Sequence, residues 1–261
     1  MGTMDIHRHW EEKSKDGVRS GTVDLIIDRL EQEAILSEVI NGENMLEVGC
    51  GDGRNAINIA KRTGITTIDA FDFSRGMIKL AKQNAKRVNV ENINFFSHSI
   101  CNLKDIDKQY DLIISKRALI NLLSYGEQIE AIQNISRLLR KGGVYLMCEN
   151  SLDGLRNINR ARRVLSLPEI KMPWHNKYFE ESKLEEDVGF LKLEKKKCFS
   201  SLYYFLSRVV NAFHAKAGGL EPQYDSAINR VALKLNEDNF TQYSQVVLWV
   251  WRNVTSKMFS V

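Results

Sequence analysis

The sequence predicts an α/β protein: a mostly parallel sheet with helices on both faces. Two observations carry this. Between residues 45 and 148, five short apolar strand signals alternate with helical ones, as in a parallel sheet with helical crossovers. The first of those strands runs into a loop with glycine at every second position, Gly49, Gly51 and Gly53. Such a loop lets backbone N–H groups and a helix N-terminus approach a ligand unobstructed by β-carbons, so a small polar molecule is expected there.

At 261 residues and 43% apolar, the chain is expected to form one domain with insertions. A net charge of +4 admits an acidic substrate but falls short of the basic footprint of a dedicated nucleic-acid binder. Cys50, Cys101, Cys148 and Cys198 lie far apart, with no C-x-x-C and no histidine at ligand spacing. Neither a metal site nor a disulfide framework is therefore expected, and a cytoplasmic location is the default. No run of about 18 apolar residues suggests a membrane span.

In chain order, Val23, Ile26, Ile27, Leu30, Ile35 and Val39 recur at helical spacing over residues 22–40, after a polar start. Strands are expected at 45–48, 66–71, 93–96, 110–115 and 143–148, and helices at 55–62, 75–87 and 128–140. Lys141-Gly142-Gly143 reads as a glycine helix stop feeding the fifth strand. Beyond Glu149 the alternation breaks. Residues 152–187 hold Pro168, Pro173 and the run Pro173-Trp174-His175-Asn176-Lys177-Tyr178-Phe179. Sixth and seventh strands are expected at 190–199 and 245–251, separated by helical patterns at 202–216 and 224–235.

A dinucleotide fingerprint needs G-x-G-x-x-G, and Arg54 stands where its third glycine belongs, which weakens a nicotinamide-dinucleotide reading. An acid at the end of the second strand suits either nucleotide reading, and Asp72 is there to accept from both ribose hydroxyls.

Four motifs then occur in order: Glu47-x-Gly49-x-Gly51-x-Gly53, Asp72-Phe73-Ser74-x-x-Met77-Ile78-x-x-Ala81, Tyr110-Asp111-Leu112-Ile113-Ile114-Ser115, and Arg137-Leu138-Leu139-Arg140-Lys141-Gly142-Gly143. Over residues 40–150 the chain resembles the class I S-adenosylmethionine-dependent methyltransferases, of the small-molecule type. The resemblance implies a Rossmann-like, seven-stranded, mostly parallel sheet with an antiparallel last strand and inserted helices forming a cap. The single domain would divide into a helical lid (1–40), a cofactor-binding core (41–150), cap insertions (151–190 and 200–243), and a last strand with tail (244–261).

The resemblance also implies S-adenosyl-L-methionine as cofactor. Gly49 and Gly51 would face its methionine end and Glu47 its amino group. Asp72 would hold the ribose, and Phe73 and Met77 would flank the adenine. The family often has an aspartate after the third strand; Ser99 stands there, so Ser99 or the backbone at Ile100 would take the adenine. Ser115 completes the expected cofactor set.

Methyl transfer is an in-line displacement governed by orientation, with a base needed only for a protonated acceptor. The acceptor site is expected beyond the carboxyl ends of the strands. Arg117 follows strand four, where the Asn/Asp-Pro-Pro-Tyr/Phe signature of many base and glutamine methyltransferases is lacking. Glu149 and Arg156 follow strand five, and Trp174 and Tyr178 flank His175, the expected base. The expected function is methylation of a small molecule, one with an anionic group being suited to the arginines, at oxygen. An RNA or protein methyltransferase and a non-catalytic binding protein are the rival readings.

Overall fold

Met45, Leu46 and Val48 belong to β1 (Asn44–Val48) and are fully buried, because this strand sits mid-sheet with both faces covered. The computed structural model describes residues 3–19, 22–40, 42, 44–235 and 240–254. The other strands are β2 (Thr67–Asp72), β3 (Ile93–Ser97), β4 (Tyr110–Lys116), β5 (Leu139–Asn150), β6 (Lys192–Lys197) and β7 (Val246–Arg252). The sheet order is β3-β2-β1-β4-β5-β7-β6. The first five strands are mutually parallel, and β7 is antiparallel to both its neighbours. The expected seven-stranded sheet with an antiparallel last strand is what the chain forms.

Two apolar layers flank the sheet. On one face lie α2 (Leu25–Leu36), α3 (Arg54–Arg62) and α4 (Arg75–Arg87), with Ile27, Ile59 and Ala81 in the core. On the other lie α5 (Tyr125–Leu138) and α7 (Glu181–Asp187), through Ile132, Ile135 and Leu184. Between these two helices in the chain, α6 (Leu152–Val164) sends Leu155 to one layer and Ile158 to the other. Ser74 caps α4 by accepting from Met77 N, and Ser151 caps α6 by accepting from Gly154 N.

Several expectations shift. The polar start hides a helix, α1 (Thr3–Lys13). Helix α5 ends at Leu138 and β5 pairs at once, Leu139 with Tyr110, so the glycines at 142 and 143 do not stop the helix. They sit instead in an irregular stretch of β5 where the register jumps between Tyr110 and Leu112. There Gly142 adopts φ 79° and donates to Asn253 O at 2.8 Å. The pattern at 202–216 is a helix in three parts: α8 (Ser201–Phe205), a π-helical segment (Leu206–Val210) and α9 (Asn211–Ala217). The pattern at 224–235 yields only α10 (Ala227–Arg230) and a 3-10 turn (Val231–Leu233). The tail expected at 255–261 lies outside the described residues.

Strand β6 is a sheet edge carrying Lys195, Lys196 and Lys197. Lys195 and Lys197 pair with Glu38 at 2.8 and 3.1 Å, and Lys196 pairs with Glu185 at 2.8 Å. Helix α6 meets the start of β7 closely at Gly154, where an added Cβ would stand 2.1 Å from Ser244 O. Gly154→Ala is therefore expected to lower stability by about 1–3 kcal/mol through overpacking, read from denaturant unfolding.

Candidate active site

Beyond the carboxyl ends of β1, β2, β4 and β5 opens a cavity of about 1060 Å³, the place where open α/β sheets hold ligands. Its floor is the glycine loop. Gly49, Gly51 and Gly53 all have left-handed φ, at 70°, 51° and 75°. A Cβ on Gly49 would meet Ala118 Cβ at 2.5 Å, and one on Gly53 would meet Ala81 and Phe95 at 2.8 Å. Gly51 differs: a Cβ there would meet no protein atom within 4 Å, so its bare face belongs to the cavity.

Two buried carboxylates border the loop. Asp72 ends β2; its Oδ2 accepts from Gly51 N at 3.0 Å and its Oδ1 from Ser74 N at 2.9 Å. Burial pushes its pKa up to about 6 against those two bonds. Glu47 Oε1 accepts from Asn55 Nδ2 at 2.9 Å, while Oε2 is buried without a hydrogen-bond partner. Burial pushes Glu47 up to about 7, opposed by the Asn55 bond. Such an orphaned oxygen on a cavity wall calls for a donor from a ligand.

Phe73, Met77, Ser99 and Ile100 lie along the same cavity. Met77 is buried in α4, and Ser99 accepts from Cys101 N at 3.2 Å, capping the 3-10 turn Ile100–Asp105. Helix α1 roofs this end. His7 lies 5.5 Å from the Phe73 ring, Trp10 Nε1 donates to Asn121 Oδ1 at 3.2 Å, and the Glu11 carboxylate accepts from Gly76 N at 3.3 Å. The lid expected over residues 1–40 thus divides: α1 covers the cavity, and α2 is packed into the core, with Ile35 fully buried.

The opposite end is lined by Arg117, His175 and Tyr178, and by four residues that the sequence did not single out: Asn150, Tyr204, Arg208 and Gln245. Arg117 has φ 51°, and its Nε lies 3.3 Å from the buried Glu31. His175 stacks on His9 of α1 at 4.4 Å, its Nδ1 has no partner, and burial followed by His9 and Lys13 pushes its pKa down to about 4. Asn150 Oδ1 and Gln245 Oε1 are also buried and unpartnered.

Four expected site residues lie elsewhere. Ser115 is fully buried and shares a 2.8 Å hydrogen bond with Tyr145 Oη, off the cavity. Glu149 is fully buried and accepts from Ala118 N, Leu119 N and Ile120 N at 3.0–3.4 Å, so it fixes the loop after β4 rather than touching an acceptor. Trp174 is 46% exposed and stands edge-on to His175, outside the lining. Arg156 is an exposed α6 residue paired with Glu180 at 3.2 Å and Asp153 at 3.5 Å.

A line of acids that holds the basic residues was also missed. Asp24, the N-cap of α2, and Asp28 and Glu31 on the helix fall at i, i+4 and i+7. Asp24 bonds Arg208 at 3.0 Å, Asp28 takes Lys116 at 2.5 Å and Arg54 at 2.9 Å, and Glu31 meets Lys116 and Arg117 at 3.4 and 3.3 Å. The spacing was visible in the sequence beside the apolar pattern. Among the described residues, no cluster of three or more metal-ligating side chains occurs, and no helix is long and apolar enough to cross a membrane.

Residues 45–143 match the methyltransferase-domain family. This segment is a class I S-adenosylmethionine-dependent methyltransferase domain. An O-methyltransferase of Aspergillus nomiae, rstn1, is 30% identical over 141 residues, covering 53% of this chain and 60% of that protein. The release factor glutamine methyltransferase of Fusobacterium nucleatum subsp. nucleatum is 29% identical over 105 residues, covering 40% of this chain and 30% of that one. The chain thus spans less than two thirds of either relative. The N-methyltransferase NodS of Bradyrhizobium japonicum, solved with S-adenosyl-L-homocysteine, shares the fold with a TM-score of 0.60 at 16% identity, over 96% of this chain and 99% of that one. The methyltransferase domain's cavity fits S-adenosylmethionine on its own chemistry: an orphaned carboxylate oxygen, a Cβ-free glycine face and a strand-end aspartate are what an ammonium, a close backbone approach and a ribose require.

Proposed function

We propose that the chain is a methyltransferase that transfers the methyl of S-adenosyl-L-methionine to a small molecule, at oxygen. The observation that carries this is the continuous cavity that joins the Glu47–Asp72 cradle, under α1, to a polar chamber lined by Arg117, His175 and Tyr178. Glu47 Oε2 would take the cofactor's amino group, Asp72 the ribose hydroxyls, and Phe73 and Met77 the adenine faces, with Ser99 and the Ile100 backbone at its edge. When bound, the cofactor supplies an electrophilic methyl on a sulfonium centre.

What remains for the protein is to align an acceptor oxygen and exclude water. Helix α1 closes the cofactor end and, through the His9–His175 stack, meets the loop that carries His175 and Tyr178. A pKa near 4 keeps His175 neutral at physiological pH. Its bare Nδ1 then accepts a hydrogen bond from an acceptor hydroxyl and orients it, taking the proton only as the oxygen–carbon bond forms. The low basicity makes it a weak general base.

A roofed chamber suits a small acceptor better than a polymer. The basic runs that kept an RNA reading open are largely committed on this surface. Arg156 and Arg163 pair with Glu180 and Glu169, and the β6 lysines pair with Glu38, Glu181 and Glu185. O-methylation is also the activity in the name of the Aspergillus nomiae relative.

Asp72→Ala is expected to weaken S-adenosylhomocysteine binding by at least about tenfold, the loss of one or two charge-assisted bonds; unchanged calorimetric affinity would remove Asp72 from the site. Because an ammonium favours ionised Glu47, binding below pH 7 should release a proton. Affinity should then fall as pH drops from 7 to 6, by at most about tenfold for one coupled proton, and Glu47→Gln should flatten that slope in calorimetry. His175→Ala should lower turnover more than cofactor affinity. In the wild type at saturating cofactor, where the Glu47 effect on binding is removed, the acid limb of kcat should fall near pH 4, not at the ordinary histidine value; an acid limb of kcat near 6.5 would contradict the role given to the buried ring.

A further inference from the structure

Arg208 stands in the middle of the π-helical segment Leu206–Val210, between α8 and α9, and lines the chamber opposite the glycine loop. A π turn widens the helix locally and re-aims the side chains it carries, and such turns recur at functional sites. Three rings surround this guanidinium: Tyr224 at 4.8 Å, Tyr204 at 5.4 Å and Tyr203 at 6.0 Å from Cζ. These faces hold the cation in place without using its N–H groups.

Asp24 does use one of them, accepting from Arg208 Nη2 at 3.0 Å. Its carboxylate is nevertheless shared, because it also accepts from Tyr203 Oη at 2.6 Å and from Ile27 N at 3.3 Å. A guanidinium has five N–H donors, and a partner contacting a single nitrogen leaves much of the fork open. In the same cavity, Asn150 at the end of β5 and Gln245 just before β7 are about 95% buried, each with a side-chain oxygen that has no partner. Burial raises the Tyr178 phenol, and its bonds to Gln245 and Asn176 with the charges of Arg117 and Arg208 oppose that rise, so both arginines act on one spot. Two buried amide oxygens without partners and an incompletely used guanidinium lining one cavity describe a polar ligand with both donors and an oxyanion.

Resting on the methyltransferase reading above, we propose that Arg208 anchors an oxyanion of the methyl acceptor, a carboxylate or a phosphate. Asn150 and Gln245 bind the acceptor's hydroxyl or amide groups. The substrate class is then a polar, anionic small molecule, and Arg208 sets its direction in the chamber, with the anion at the tyrosine ring and the nucleophile toward the glycine loop.

The test is a pair of NMR titrations of arginine-labelled protein saturated with S-adenosylhomocysteine. Sodium acetate and inorganic phosphate are added separately, with sodium chloride at matched ionic strength as reference. A saturable shift of the Arg208 Nε–H signal is expected in the wild type; read at the signals of Arg117, which lines the same cavity, the anion affinity should be weakened at least about tenfold in Arg208→Gln, as loss of a charge-assisted fork requires, and unchanged in Arg156→Gln on the exposed face of α6. A response to acetate alone assigns a carboxylate, to phosphate alone a phosphate ester, and to both an oxyanion of either kind. No saturable shift with either anion overturns the proposal. Should Arg208→Gln fail to fold, the wild-type titration and Arg208→Lys, which keeps the charge and loses the fork, decide it. Calorimetry with S-adenosylhomocysteine on the same sample separates the two readings: failure there removes the methyltransferase assignment, while the anion titrations on unliganded protein still judge Arg208.

Discussion

Lys116, at the end of β4, places its ammonium 2.5 Å from Asp28 and 3.4 Å from Glu31, both on α2, in a spot that water scarcely reaches. Burial alone would raise the Asp28 pKa, yet Lys116 and Arg54 overcome it and hold the carboxyl well below the usual range. Such a pair is weak evidence for stability in itself, but removing one partner leaves a stranded charge, at a cost of about 3–5 kcal/mol. The consequence is positional. Strand β4, the glycine loop through Arg54, and α2 meet at one carboxylate, so the floor and the side wall of the cavity cannot drift apart without breaking it.

The same helix extends this control to the other end of the chamber. The three acids at and after its N-cap are spaced so that each reaches a cation from a different part of the chain: Arg208 from the inserted helices, Arg54 from α3, and Lys116 and Arg117 at the end of β4 and just beyond it. Glu149 does similar work from below, accepting three successive amides of the loop that begins at Ala118. That loop also meets the glycine turn, Ala118 lying where a Cβ on Gly49 would be. The two ends of the cavity are therefore set by one web of buried charge rather than by two independent folds.

Strands β1 to β5 and β7 were legible because each is a local apolar run, and the cradle was legible because left-handed turns demand glycine at fixed places. Asp72, Glu47, Phe73 and Met77 lie on the cavity for that reason. The end of the cavity that holds Arg117, His175 and Arg208 was largely not legible. Ser115 and Glu149 look like strand-end site residues, but which side of the sheet they serve depends on Tyr145 and on the backbone of the next loop, partners chosen only by tertiary packing. Asn150 and Gln245 are ordinary amides in sequence and become informative only once their side-chain oxygens are buried without partners. Helix α1 escaped notice because it is polar on most sides and covers a cavity rather than a core. Arg208 escaped because a π turn leaves no periodic trace that a helical pattern would separate from its neighbours.

The lysine-rich edge strand β6 bears on how the molecule keeps to itself in crowded solution. An open sheet edge offers unpaired backbone groups to any extended segment, the first step of aggregation. Here a strand docking on β6 would have to displace or desolvate Lys195, Lys196 and Lys197, each tied to a glutamate on a neighbouring element. The same three residues that read in sequence as a basic patch thus act as a guard along the sheet's open side.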